Sequence, residues 1–135
     1  MKYFDTDVII NAVIEQDPIK HQEAKNLVFN ALNDNTFIVS TLVIQETGYA
    51  LARIGLPAEE IERNLAFFSS LNVCLVEHAA LNRGIELASL IGFKNMNDCI
   101  HTAVAESINC QELYTYNKAD FKRIQKHTNL KISIL

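Results

Sequence analysis

Five short apolar runs that alternate with amphipathic stretches predict a three-layer α/β/α sandwich on a mainly parallel sheet of about five strands. Composition supports that class. The chain has 135 residues, 49% apolar and 21% charged, which suits one domain over residues 1–135 with an ordinary core and argues against disorder. It holds only 4 Gly, 2 Pro and no Trp, too few turn formers for an all-β sandwich or barrel. Sheets of this kind collect ligands at the carboxyl ends of their strands, near the point where strand order reverses. The polar residues that follow strands are therefore the ones to watch.

The elements follow in order. Lys2 to Phe4 is the first strand and ends at Asp5; Asp7 then reads as the cap of a short helix through Ala12 and Ile14. Pro18 opens a longer helix with apolar residues Ala24, Leu27, Val28, Ala31 and Leu32 at helical spacing. Thr36 to Val39 is β-branched and aromatic and too short for a helix, and Ser40 or Thr41 caps a helix from Leu42 to about Ile54, stopped by Gly55. Pro57, Glu59 and Glu60 fit the first turn of the next helix, which runs to about Ser70. Val73 to Val76 is a third strand and His78 to Ile91 a helix closed by Gly92. A helix from Asp98 to Ser107, a strand from Leu113 to Thr115, a helix from Ala119 to Lys126 and a strand from Ile132 to Leu135 complete the chain.

Charge narrows the function. With 12 Lys+Arg against 16 Asp+Glu the formal charge is −4, so bulk charge gives no attraction to nucleic acid. A polyanionic partner has to be held by a local basic patch or by metal ions. Met1-Lys2-Tyr3-Phe4-Asp5 puts a carboxylate where a signal peptide needs its apolar stretch, and no run approaches a membrane span. Cys74, Cys99 and Cys110, odd in number and set among apolar neighbours, read as reduced buried thiols. A cytoplasmic location and no membrane partner are the expectations.

Asp5 follows strand one, Glu46 lies about one and a half turns into the helix after strand two, Asp98 begins a helix, and Asn117 and Asp120 follow strand four. Alone, each has an ordinary explanation: a turn or cap for Asp5, a solvated helix position for Glu46, a dipole-favoured first turn for Asp98, and an N-cap answered by an N3 acid for Asn117 and Asp120. Together they converge on one sheet edge. Carboxylates crowded there repel one another unless a cation neutralises them, and magnesium or manganese suits such oxygen donors. An ion so held can generate hydroxide and stabilise a phosphoryl transition state. Thr115 reads either as a β-branched strand residue or as a hydrogen-bond donor to this site.

Four segments in this order, Tyr3 to Ile10, Ser40 to Glu46, Asn97 to Ala103 and Tyr114 to Phe121, resemble the PIN-domain ribonucleases over almost the whole chain, and among them the VapC-type toxins of bacterial toxin–antitoxin pairs. The resemblance implies an Mg- or Mn-dependent endoribonuclease with Asp5, Glu46, Asp98 and Asn117 as its catalytic centre. Asp5, Glu46, Asp98 and Asp120 are the expected metal ligands. It further implies an RNA substrate, a cognate antitoxin and a homodimer. Two positions depart from the family pattern: Asp7 stands where Asn is common, and Asn117 where many members have Asp. An amide carries no charge and cannot act as a base, which bears on a second metal.

Lys118, Lys122 and Lys126 recur every four residues with Arg123 beside them, a candidate face for the RNA backbone or simply a solvated one. Lys94 and Arg53 are weaker candidates. Leu65-Ala66-Phe67-Phe68 reads as core before it reads as a partner surface. His101 reads as a packed or hydrogen-bonded helix residue, and the scattered histidines make a zinc site improbable. No G-x-S-x-G elbow and no glycine-rich phosphate loop is present. Two other functions stand beside the nuclease. One is a catalytically weak module of the same fold that binds RNA or protein. The other is an aspartate-dependent phosphatase resembling the haloacid dehalogenase superfamily, suggested by Asp5-Thr6-Asp7.

Overall fold

The computed structural model describes all 135 residues, Met1–Leu135. Five strands are present, β1 (Lys2–Phe4), β2 (Phe37–Ser40), β3 (Val73–Cys74), β4 (Glu112–Thr115) and β5 (Lys131–Ile134). They form one sheet of order β3-β2-β1-β4-β5 with every pairing parallel. Seven helices connect them: α1 (Thr6–Val13), α2 (Pro18–Asn33), α3 (Thr41–Ile54), α4 (Ala58–Ser69), α5 (His78–Ile91), α6 (Met96–Ser107) and α7 (Lys118–Ile124). Right-handed crossovers put α1 to α4 on one face and α5 to α7 on the other, because the chain moves outward from β1 through β2 to β3 and then returns past β1 to β4. Strand order reverses between β1 and β4. Asp5 and Asn117 follow these two strands.

The central strands are short apolar runs because both faces of a parallel sheet are covered. Tyr3, Phe4, Phe37, Ile38, Val39 and Leu113 are buried. Phe4 stacks between Phe37 and Tyr114, with ring centroids 5.2 and 5.3 Å away, and so ties β2, β1 and β4 together. Gly55 ends α3 in the left-handed region, φ 99°, which a glycine reaches without a Cβ penalty.

The structure moves several expected boundaries. Asp5, not Asp7, caps α1: its Oδ1 accepts from the Thr6 N–H at 2.7 Å, and Asp7 falls inside the first turn. Ser40 rather than Thr41 caps α3, accepting from the Val43 N–H. The third strand stops at Cys74, since only Val39 and Ser40 remain as partners. A 3-10 turn, Phe93–Asn95, leads into α6, which begins two residues before Asp98. The last helix ends at Ile124, and Gln125–His127 tightens into a 3-10 turn that carries Lys126 off the helical face.

Helices α5 and α6 approach closely at Gly84, where an added Cβ would meet Ile100 Cγ1 at 2.9 Å and the Ile100 backbone at 3.2 Å. Backbone cannot turn aside as a side chain can. Gly84→Ala is expected to destabilise the fold by about 1–3 kcal/mol, a cost of overpacking that exceeds any gain in helix propensity. Urea unfolding checks it; an unchanged midpoint would show that the helices separate freely.

Candidate active site

Asp5 is placed by the end of β1 and by its role as the α1 cap, and only 4% of it is exposed. Its Oδ2 accepts from the Thr115 hydroxyl at 2.7 Å, which settles Thr115 as a donor to the site. Thr115 in turn accepts from the Asn117 N–H at 3.0 Å, so β1 and β4 are stitched together at their carboxyl ends. Glu46 reaches in from α3, and its Oε2 accepts from the Thr6 hydroxyl at 2.8 Å. Asp98 projects from the first turn of α6. Asn117 caps α7 through its Oδ1, which accepts from the Asp120 N–H at 3.3 Å, while its Nδ2 donates to Asp98 Oδ2 at 3.1 Å and to Asp120 Oδ2 at 2.8 Å. The five residues singled out from sequence therefore lie at one sheet edge, beside the switch point.

His101 belongs with them. It is wholly buried, and its Nε2 lies 3.0 Å from Glu46 Oε1 and 3.5 Å from Asp5 Oδ1. Two acceptors on that side require Nε2 to carry a proton. In the neutral ring Nδ1 then accepts from the Tyr3 hydroxyl at 2.9 Å, and the Tyr3 oxygen accepts from Ser40 at 2.7 Å. The packed, hydrogen-bonded reading of His101 holds, but its partners are the site's own carboxylates. Only its position three residues after Asp98 hinted at this, since one helical turn brings the two onto neighbouring faces.

Burial and mutual repulsion set the electrostatics. Burial pushes Asp98 up to about 7, with the charge of Asp5 adding to it. Asp7 is likewise raised to about 7 by burial and then by Asp5, although it accepts from the Tyr116 N–H at 3.0 Å. Asp5 is raised by burial despite its donors. Burial also works to raise Glu46, but the hydrogen bond and charge of His101 outweigh it and leave Glu46 below the usual range. His101 is held above its ordinary value: burial pulls it down, and the Glu46 hydrogen bond with the surrounding carboxylates more than offsets that.

No three His, Cys, Asp or Glu side chains converge as a ready-made cage for a metal ion. The donor set nonetheless fits magnesium or manganese, which take one or two carboxylates directly and keep several waters. No protein donor reaches Asp98 Oδ1, and the crowded acids beside it are held from ionising together. Zinc fits poorly, because both nitrogens of His101 are already engaged.

The basic stripe divides. Helix α7 starts at the site and runs back along β4 towards the opposite edge, so at 1.5 Å per residue its last residue, Ile124, lies about 9 Å beyond Lys118, and Lys126 follows it. The helix also ends before Lys126, which lines a cleft of about 600 Å³ with Arg83, Glu106 and His127 at the far edge. Lys118, Lys122 and Lys126 therefore do not share one helix face. Arg123 donates to the Ile91 carbonyl, and the Asn95 amide, turned to satisfy both neighbours, bridges it to Asp120. Of the aromatic pair on α4, Phe68 is core at 4% exposure while Phe67 is 51% exposed. All three cysteines are free, and no helix is long and apolar enough to cross a membrane.

A five-stranded parallel sheet of this order with carboxylates at its switch point defines a class, and sequence comparison identifies it. The chain matches the PIN domain family over residues 2–127 and belongs to that family. Its fold is that of VapC-type toxins. It is similar to VapBC2 of Rickettsia felis, solved with a promoter DNA fragment, at 22% identity and a TM-score of 0.71 over 100% of this chain and 99% of that one. It is also similar to VapC20 of Mycobacterium tuberculosis, described as a sarcin-ricin loop cleaving toxin, at 18% identity and 0.69 over 90% and 94%. A toxin–antitoxin complex from Klebsiella pneumoniae follows at 20% and 0.67 over 90% of each chain. No curated protein matches by sequence.

Two outcomes follow for the metal-free protein. A carboxyl raised from 3.8 to about 7 binds its proton more tightly folded than unfolded, so its contribution to stability is lost as pH rises through that window. Asp7→Asn is expected to flatten the loss between about pH 4 and 7 and to raise stability near pH 8 by about 1–2 kcal/mol. Melting temperatures across pH test this, and parallel wild-type and variant curves would refute it. Tyr3→Phe removes the hydroxyl that partners His101 Nδ1 and should cost about 1–3 kcal/mol in urea unfolding.

Proposed function

We propose that this chain is a divalent-metal-dependent endoribonuclease, the toxin of a toxin–antitoxin pair. The observation that carries the reading is that Asp5, Glu46 and Asp98 all lie beside the β1/β4 switch point, with Asp5 buried and Asp98 raised to about 7. Asp5 and Asp98 would hold magnesium or manganese, with Glu46 and Asp120 beside them. The bound ion supplies positive charge for these acids, a hydroxide near neutral pH and stabilisation of the phosphoryl transition state. The protein's own groups do the rest. Thr115 and the Thr6 N–H fix both oxygens of Asp5, and His101 and Thr6 fix Glu46. Preset donors of this kind spare the site reorganisation during reaction. Lys118, at the start of α7, and Lys94, just before α6, offer phosphate contacts near the acids.

An antitoxin partner, a homodimer and a cytoplasmic location belong to the same proposal. Support for the first comes from the Klebsiella relative, described as a toxin–antitoxin complex, and support for RNA cleavage from the Mycobacterium relative. A second reading, a weak PIN module that binds RNA or protein, is favoured by Asn117 where a carboxylate is common. The phosphatase reading finds no such support: Asp7, its would-be acid–base group, is held by the Tyr116 N–H.

The test is cleavage of a mixed RNA pool by the purified chain with magnesium, manganese or a chelator. Metal-dependent cutting is expected, reduced at least about a hundredfold by Asp98→Asn or Asp5→Asn. Silence from folded, antitoxin-free protein would transfer the weight to the binding module.

A further inference from the structure

We infer that this centre works with a single divalent ion, the Asn117 amide standing where a second cation would otherwise bridge Asp98 and Asp120. The inference rests on the metallonuclease reading above. Its first support is the direction in which the amide faces. As the cap of α7, Asn117 turns its Oδ1 to the Asp120 N–H, which only an acceptor can meet. The NH2 group is thereby forced towards the two carboxylates, at 3.1 Å from Asp98 Oδ2 and 2.8 Å from Asp120 Oδ2, and both of its protons are spent. A cap that is also a carboxylate clamp puts two N–H protons, and no ligand atom, between these acids, where a cation would be repelled.

The second support comes from the other carboxylate pair at the edge. Glu46 and Asp5 are bridged by His101 Nε2, at 3.0 and 3.5 Å, and His101 cannot swing away because Tyr3 holds its other nitrogen in a wholly buried position. Asp120 is further engaged through its Oδ1 by Asn95. Two pairs are thus closed by nitrogen donors of this chain. Asp5 with Asp98, whose Oδ1 meets no protein donor, is the pair left for an ion.

Asn117→Asp keeps an oxygen for the α7 cap and exchanges the donating NH2 for a third acceptor. Asp98 and Asp120 then face a further carboxylate without the NH2 group between them, and a second cation becomes the means of neutralising the group. Manganese binding by the full chain without RNA, followed by calorimetry and by the paramagnetic signal of free manganese, reads this directly. The expected count is one ion for the wild type and two for Asn117→Asp, whose melting temperature falls below wild type in chelator and recovers with manganese. Should that variant not fold, Asn117→Ser retains a cap oxygen, replaces the two amide N–H donors by a single rotatable hydroxyl and is expected likewise to admit a second ion. Two ions on the wild type, or one on a folded variant, would overturn the inference while leaving the nuclease reading intact. No ion on the wild type would instead overturn the metallonuclease reading, and this inference with it.

Discussion

Asp5 carries a carboxylate into a position only 4% exposed at the end of the central strand. An unpaired charge there costs several kcal/mol, and the neighbourhood is built to meet it. The Thr6 N–H and the Thr115 hydroxyl take its two oxygens, and His101 stands 3.5 Å away. Each partner comes from a different element: α1 supplies its first backbone N–H, β4 its last residue, α6 a buried ring. Holding Asp5 therefore fixes how β1, β4 and α6 meet, and the same contacts place Glu46 and Asp98 around it. The site and the top of the core are one hydrogen-bonded structure.

The chain from Ser40 through Tyr3 and His101 to Glu46 extends that structure into the interior. Every member is polar and enclosed except Glu46, so each has to be paired. A network of this kind is worth more when complete than its pairs suggest and is costly when broken. It gives Glu46 a fixed orientation that its three side-chain torsions would not hold alone. Glu46 lies below the usual range because His101 bonds it directly, whereas burial, with the charge of Asp5 added, raises Asp98 and Asp7.

Asn117 shows how one residue serves both local structure and chemistry. Its oxygen ends the loop after β4 by capping α7, and the nitrogen that this leaves over is aimed at two carboxylates. An aspartate would cap equally well but would aim charge at charge. The same division runs through α7, whose first turn belongs to the acidic edge while its end reaches the opposite side of the sheet.

Much of this was legible in the sequence. The alternation of apolar runs with amphipathic stretches sets the α/β class, and the β-branched and aromatic runs at Lys2 to Phe4 and Phe37 to Val39 mark strands, because period and bulk are local properties. Asp5, Glu46, Asp98, Asn117 and Asp120 could be picked out since each follows a strand or opens a helix, positions the chain itself defines. Tertiary structure decided the rest. Whether Asp5 or Asp7 caps α1 depends on the Tyr116 N–H, 109 residues away, which claims the Asp7 carboxylate. That His101 faces Glu46 depends on α3 and α6 meeting across the sheet edge, a fact of crossover topology that no local spacing records. Phe67 and Phe68, adjacent and alike, part company into solvent and core because only one side of α4 meets the rest of the protein. The lysine stripe fails for the same reason: its four-residue period assumes a helix through Lys126, and the chain must tighten at Gln125 to enter β5. Local pattern determined which elements form and which residues carry charge; the packing of distant segments decided which of those charges share a hydrogen-bond donor.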